Sequence, residues 1–282
     1  MLVGCGEWGF REMPMEQHFQ ICQDFGFHFM EFGIGGGQTG RLPEEPADDD
    51  IDAFLAMGKQ FGIETPFCCI ENDFTLADAQ AHETMVDKVL SQIRAAAACG
   101  ATHVRLFAGF TPVDQMTDES WGRMFEAFSR CDALCEQHGM QIAIETHGAI
   151  EFDETGAAIH SHTASTHPDS LRKLLAALPE RIGFNYDPGN LKPLAEGDPL
   201  LRLDLLDKRI NYCHLKDWRK SGKGWVACAI GDDDLDYGPL FEKMSFDGVY
   251  LIEYEPLEDP REGIQRSLDY LSSTVDQVDF GK

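Results

Sequence analysis

Four polar side chains fall at the far ends of four predicted strands: Glu145 in "IAIETHG", Asp187 in "IGFNYDPGN", His214 in "NYCHLKDW" and Glu253 in "VYLIEYEP". Three carboxylates gathered in one interior repel one another and resist burial. A divalent cation removes that conflict. Oxygen donors with one imidazole suit Mn²⁺, Mg²⁺ or Co²⁺, and Zn²⁺ less distinctively. The alternative is a buried ion-pair network in which Lys216, Arg105 and Lys220 supply the counter-charge.

Strand parity supports one shared cavity, because residues two apart on a strand face the same side. Glu145 shares its side with Ala143 and His147, and Asp187 with Asn185. His214 lies in line with Tyr212 and Lys216, and Glu253 with Leu251 and Glu255.

The elements that must position these groups are legible as eight short apolar runs, beginning at Met1, Phe27, Ile63, His103, Gln141, Ile182, Ile210 and Val249. The segments between them carry helical spacing. Val86, Val89, Leu90, Ile93 and Ala97 mark one face, closed by Gly100. Met124, Phe125, Phe128, Cys131 and Cys135 mark another, closed by Gly139. Strands alternating with helices predict an α/β fold with a mostly parallel sheet. Eight such units in 282 residues predict a (β/α)₈ TIM barrel as a single domain over 1–282. Chemistry in such a barrel sits at the C-terminal strand ends, where Glu7, Glu31 and Arg105 also fall. A doubly wound sheet is the rival, but no G-x-G-x-x-G follows the first run. "GIGGGQTG" at 33–40 lacks the P-loop lysine and reads as a loop.

Composition narrows the partners. The net charge is −26, from 49 acidic and 23 basic side chains, which opposes nucleic acid and anionic membrane surfaces. No run of about 18 apolar residues suggests a membrane span. "MLVGCGEWGF" carries no signal-peptide pattern. Nine scattered cysteines without a C-x-x-C argue against a disulfide framework and for a reducing, cytoplasmic setting. His160, His162 and His167 in "HSHTASTHP" match no closed zinc site and read as a mobile rim loop. Trp8, Phe110 and Trp218 follow strand ends, where aromatics either pack or stack on sugars.

The pieces "AIETHG", "FNYDPGNL", "CHLKD" and "LIEYE", in that order, resemble the sugar phosphate isomerase/epimerase family of xylose isomerase-like TIM barrels, relatives of ketose 3-epimerases, hydroxypyruvate isomerase and inosose dehydratase. The resemblance covers essentially the whole chain. It implies one divalent metal ion, Mn²⁺ before Mg²⁺, Co²⁺ or Zn²⁺, held by Glu145, Asp187, His214 and Glu253. It implies that Glu145 and Glu253 also serve as the acid/base pair; Glu255 shares the parity of Glu253, but Glu253 matches the family's "IEY". A small carbohydrate substrate and a homodimer or homotetramer follow from the same likeness.

His147, Lys216 and Arg105 are substrate-binding candidates by position. Asn190 and Lys220 are candidates by resemblance, standing where the epimerases carry a histidine and an arginine. Those two departures weaken a standard free-ketose 3-epimerase reading. The expected reaction is isomerisation or epimerisation of a keto-sugar or related polyol, through removal of a proton next to a carbonyl. A metal-dependent lyase or dehydratase acting on a keto-inositol, an oxidised (3-keto) sugar or its glycoside is the alternative.

Overall fold

The computed structural model describes residues 1–195, 197–256 and 258–281. Its strands are β1 (Leu2–Cys5), β2 (Phe29–Ile34), β3 (Glu64–Ile70), β4 (His103–Leu106), β5 (Gln141–Glu145), β6 (Ala149–Phe152), β7 (Ala158–Ser161), β8 (Gly183–Tyr186), β9 (Ile210–Leu215), β10 (Asp217–Ser221), β11 (Gly224–Cys228) and β12 (Val249–Ile252). Its longer helices are α1 (Met15–Phe25), α2 (Asp48–Phe61), α3 (Ala79–Ala98), α4 (Asp118–Gln137) and α5 (Pro168–Ala177). The short α6 (Pro188–Leu191), α7 (Leu203–Leu206) and α8 (Gly238–Lys243) follow, and α9 (Pro260–Thr274) closes the set.

The eight apolar runs become eight parallel strands that close in the order β1-β12-β9-β8-β5-β4-β3-β2. Closure excludes the open doubly wound sheet and establishes the (β/α)₈ TIM barrel. Strand alternation sorts the apolar residues into two groups. Phe67, Ala143, Tyr212, Val249 and Leu251 form a small cluster inside the barrel. Their strand neighbours, among them Cys68, Ile142, Ile144, Cys213 and Ile252, join the larger core under the helices. The helix boundaries have local causes. Asp78 accepts from the Ala81 amide at 2.8 Å to start α3, and Gly100 takes the left-handed φ of 85° that ends it. Asp50 accepts from the Ala47 amide at 2.9 Å at the start of α2.

A second sheet was not legible in the sequence. β10, β11, β7 and β6 form a four-stranded antiparallel layer in that order. β6 and β7 are a hairpin whose turn is tied by the Asp153 carboxylate, which accepts from the amides of Thr155 at 2.8 Å and Ala157 at 3.0 Å. The expectation of a rim loop at His160–His167 is corrected for His160 alone; residues 162–167 are the loop between β7 and α5. His160 lies on β7, its ring edge-on to Trp218 at 4.9 Å, and His167 is the residue before α5.

All nine cysteines are free and buried. Among the described residues, no helix is long and apolar enough to cross a membrane.

Phe128, fully buried on α4, meets Phe74 edge-on at 5.2 Å. Phe128→Ala is expected to cost about 3–5 kcal/mol through lost burial and a residual cavity. Urea unfolding of the two proteins measures it; a loss under about 1 kcal/mol would mean that the site collapses around the gap.

Candidate active site

β5, β8, β9 and β12 are neighbours in the barrel. Their C-terminal ends bring Glu145, Asp187, His214 and Glu253 together, all buried, with one ligand-type atom of each within 4.8 Å of the others. Each is held by its local structure. Asp187 precedes α6 and caps it, its Oδ1 accepting from the Asn190 amide at 2.9 Å, while Oδ2 is buried without a hydrogen bond. Pro188 sits at the first helical position with its φ already set. Gly189 is required by close approach: a Cβ there would stand 2.3 Å from the Lys216 carbonyl oxygen. Thr146 Oγ1 accepts from the Asp187 amide at 2.9 Å, fastening the end of β5 to the end of β8.

A surrounding layer orients the four groups. Glu31, at 0% exposure, accepts from His214 Nε2 at 2.7 Å, from the Tyr212 hydroxyl and from the Glu7 amide at 2.9 Å. Because Nε2–H is donated to Glu31, His214 presents Nδ1 to the cluster, 3.3 Å from Glu253 Oε1. Glu145 is gripped from both sides: Arg105 Nε lies 2.9 Å from Oε2, and Asn190 Nδ2 donates to Oε1 at 2.9 Å. The Lys216 ammonium lies 2.7 Å from Glu253, 2.8 Å from Glu255 and 3.8 Å from Asp187.

The electrostatics describe a cluster short of positive charge. Burial, only partly offset by Lys216 and reinforced by Glu253 and Glu145, pushes Asp187 up to about 8. Burial also pushes Glu145 up to about 7 against the pull of Arg105, with Glu253 adding to the rise. Burial opposes a charged His214, but Glu253 and Glu31 outweigh it and raise the imidazole to about 10. Burial likewise disfavours ionised Glu253 and Glu31. His214 with Lys216 holds Glu253 below the usual carboxylate range, and His214 with Arg105 holds Glu31 below it. The donor set fits a divalent ion: three carboxylates and an imidazole nitrogen, with Asp187 Oδ2 and His214 Nδ1 buried and free of hydrogen bonds.

Above the cluster lies a cavity of about 220 Å³. Glu145 and Glu253 reach its floor, beside Arg105, Lys216, His147 and Glu255. His147 Nδ1 donates to the Gly148 carbonyl at 2.6 Å, which leaves Nε2 as the acceptor. Burial and the nearby Lys216 charge lower this imidazole to about 4, so it is neutral.

Two expected substrate contacts stand elsewhere. Lys220 is exposed on β10, its ammonium 4.3 Å over the Trp225 ring, because the chain turns outward after Lys216 into the antiparallel layer. Asn190 is fully buried and outside the cavity lining; it joins Glu145 to Lys216 and Trp218, whose Nζ and Nε1 donate to its Oδ1 at 3.3 and 3.4 Å. Asp217 pairs with Lys192 at 2.9 Å, since alternation turns it away from Lys216.

A family model described as xylose isomerase-like TIM barrel matches residues 19–274. The chain belongs to that family. No curated protein sequence matches it. Solved structures of similar fold include an L-ribulose 3-epimerase, with 15% identity over 98% of this chain and 95% of that one and a TM-score of 0.76. A probable 3-DHS dehydratase, AsbF, from Bacillus anthracis aligns at 16% identity over 96% and 99%, with a TM-score of 0.75. The IolI protein with a bound zinc atom aligns at 14% identity over 98% and 100%, with a TM-score of 0.71. At these identities the likeness is one of fold.

Within this xylose isomerase-like barrel, sequence reasoning passed over two site residues. Glu71, the first residue after β3, lines the cavity and joins Arg41 at 3.2 Å to Arg105 at 3.4 Å. The rule that picked the other strand ends picks Glu71 too. Arg41 comes from the glycine-rich loop after β2 and reaches Glu7 at 3.4 Å; nothing in its local pattern marks it.

Asp187→Asn tests the charge crowding. Asn keeps the cap on α6 and removes the anion. A carboxyl raised to about 8 in the folded chain contributes stability at low pH that is lost as pH rises through that value. In chelator-treated protein the variant is expected to melt higher than the parent at pH 8, and the gap to close toward pH 4. A variant that melts lower at pH 8 would show that Asp187 is already compensated without a metal.

Proposed function

We propose that the protein is a divalent-metal-dependent isomerase or epimerase acting on a keto-sugar or related polyol. The observation that carries this reading is the convergence of Glu145, Asp187, His214 and Glu253 in a xylose isomerase-like barrel, with Glu145 and Glu253 lining the adjoining cavity. These four residues would hold one ion. Carboxylate oxygens with a single imidazole favour Mn²⁺, with Mg²⁺, Co²⁺ and Zn²⁺ as lesser fits. When bound, such an ion supplies Lewis-acid polarisation of a substrate carbonyl and its neighbouring hydroxyl.

The chain's own residues would do the rest. One of Glu145 and Glu253 takes the proton from the carbon beside the carbonyl, and the other returns a proton. Return to the opposite face of that carbon inverts it; return to the neighbouring carbon isomerises. Arg105 and Asn190 fix the Glu145 carboxylate, as Lys216 fixes Glu253, so neither base must reorganise during transfer. Neutral His147 offers a hydrogen-bond acceptor to a substrate hydroxyl. The floor carries Glu145, Glu253, Glu255 and Glu71 against Arg105 and Lys216, a balance that favours an uncharged substrate over a phosphorylated one.

A lyase is the second reading, and Lys216 favours it. Its ammonium faces the cavity and could protonate a departing hydroxyl or alkoxide.

Proton NMR in D₂O over a panel of ketoses, keto-inositols and 3-keto-glycosides tests the reading. Enzyme-dependent deuterium at the carbon beside the carbonyl is expected, lost on chelation and restored by Mn²⁺. Glu145→Gln and Glu253→Gln are each expected to lower exchange by about 10²–10⁴-fold with the far-UV circular dichroism unchanged. Full exchange in either variant would remove that residue from the acid/base pair.

A further inference from the structure

The cavity over the cluster has two chemically different parts. Its floor is charged and comes from the barrel strand ends. Its wall is apolar: Trp8 follows β1, Phe107 and Phe110 follow β4, and Ile150 and Phe152 come from β6. Strand alternation explains the last pair. Ile150 and Phe152 face the cavity, whereas Glu151 between them faces a separate groove on the other side.

The wall is rigid. Phe107 and Phe110 lie 4.9 Å apart, each with its edge or face against the His147 ring, at 5.1 and 5.6 Å. The Arg105 guanidinium covers Phe107 at 4.2 Å, and that of Arg11 covers Trp8 at 4.4 Å. Phe152 stands immediately before the hairpin turn that Asp153 ties down. Yet Phe152 is 71% exposed, more than any other large apolar side chain described. A single pyranose face can stack on one or two aromatic rings. Five mostly apolar side chains, reaching out to an exposed phenylalanine, exceed that, and apart from the Trp8 indole N–H they offer no partners to the hydroxyls of a free sugar.

We propose that this wall is a binding subsite for an uncharged aromatic group attached to the sugar, so that the substrate is an aryl glycoside in its keto form. This rests on the proposed function for the sugar half. The ring of the attached group packs among Trp8, Phe110, Ile150 and Phe152, and its burial covers the exposed Phe152 face. The sugar half then lies over Glu145 and Glu253.

Calorimetric titration of the Mn²⁺-loaded protein with phenyl β-D-glucopyranoside and methyl β-D-glucopyranoside tests the subsite without requiring turnover. The phenyl glycoside is expected to bind at least tenfold more tightly. Phe152→Ala is expected to remove most of that ratio; its exposure makes misfolding a minor concern. Leu55→Ala, an exposed apolar position on α2, is the control that leaves the ratio intact. Equal affinities for the two glycosides overturn the proposal. So does a phenyl preference that survives both Phe152→Ala and Ile150→Ala. Deuterium exchange on a free keto-sugar without phenyl preference would fell the subsite and leave the isomerase reading standing. Phenyl preference without exchange on any keto substrate would fell the isomerase reading and leave the subsite standing.

Discussion

Three carboxylates and an imidazole share one buried pocket at the end of a barrel, and the surroundings are organised around that electrostatic cost. Each ion removed from water costs several kcal/mol unless it is paired. Arg105 answers Glu145, Lys216 answers Glu253, and Glu31 takes the outer nitrogen of His214. These partners need partners in turn. Arg105 draws in Glu71, Glu71 draws in Arg41, and Arg41 reaches Glu7. The result is a chain of alternating charge from Glu145 through Arg105, Glu71 and Arg41 to Glu7. Loss of one member would leave its neighbour buried and unpaired, which typically costs about 3–5 kcal/mol.

The barrel was legible in the sequence because it follows from short-range periodicity; parity put polar strand ends on shared faces, and the resemblance picked Glu145, Asp187, His214 and Glu253 from among them. Strand parity put Glu145 in line with Ala143, His214 with Tyr212 and Glu253 with Leu251, and the inner cluster of Ala143, Tyr212 and Leu251 reproduces that alignment. What was not legible depends on long-range pairing. β6 and β7 are only four residues each; they pair with each other, and β7 pairs with a hairpin more than sixty residues further along (Ala158 with Trp225). A single chain read locally gives "HSHTASTHP" the look of a loop. Lys220, a candidate by resemblance, stands on β10, which leaves the barrel directly after Lys216 and carries it away from the cavity. Asn190 lies outside the cavity lining. Its place after Asp187 suggested a substrate contact, whereas its amide closes the gap between Glu145 and Lys216.

The division between barrel and antiparallel layer is also a division of labour. Strand ends are rigid, and they hold the charged floor. The hairpin of β6 and β7 is an addition to the barrel and contributes Ile150 and Phe152 to the cavity wall. A common floor with an added wall lets one scaffold keep its chemistry while changing what it accepts. Fold likeness at low identity carries little about the substrate.

The charge balance sets one of the four clustered residues apart from the others. In a closed network every buried carboxylate has a cation or a donor in bonding distance of each oxygen. Glu145 meets this condition through Arg105 and Asn190, and Glu31 through His214, Tyr212 and the Glu7 amide. Asp187 does not. Its Oδ1 is spent on the cap of α6, and its Oδ2 finds only Lys216 at 3.8 Å, an ammonium already held by Glu253 and Glu255. Asp187 is thus the most weakly paired of the four clustered groups, and one of its carboxylate oxygens lies within 4.8 Å of a ligand-type atom of His214 and of each glutamate. A bound divalent cation would favour the ionised form of Asp187 and let His214 serve as a neutral donor.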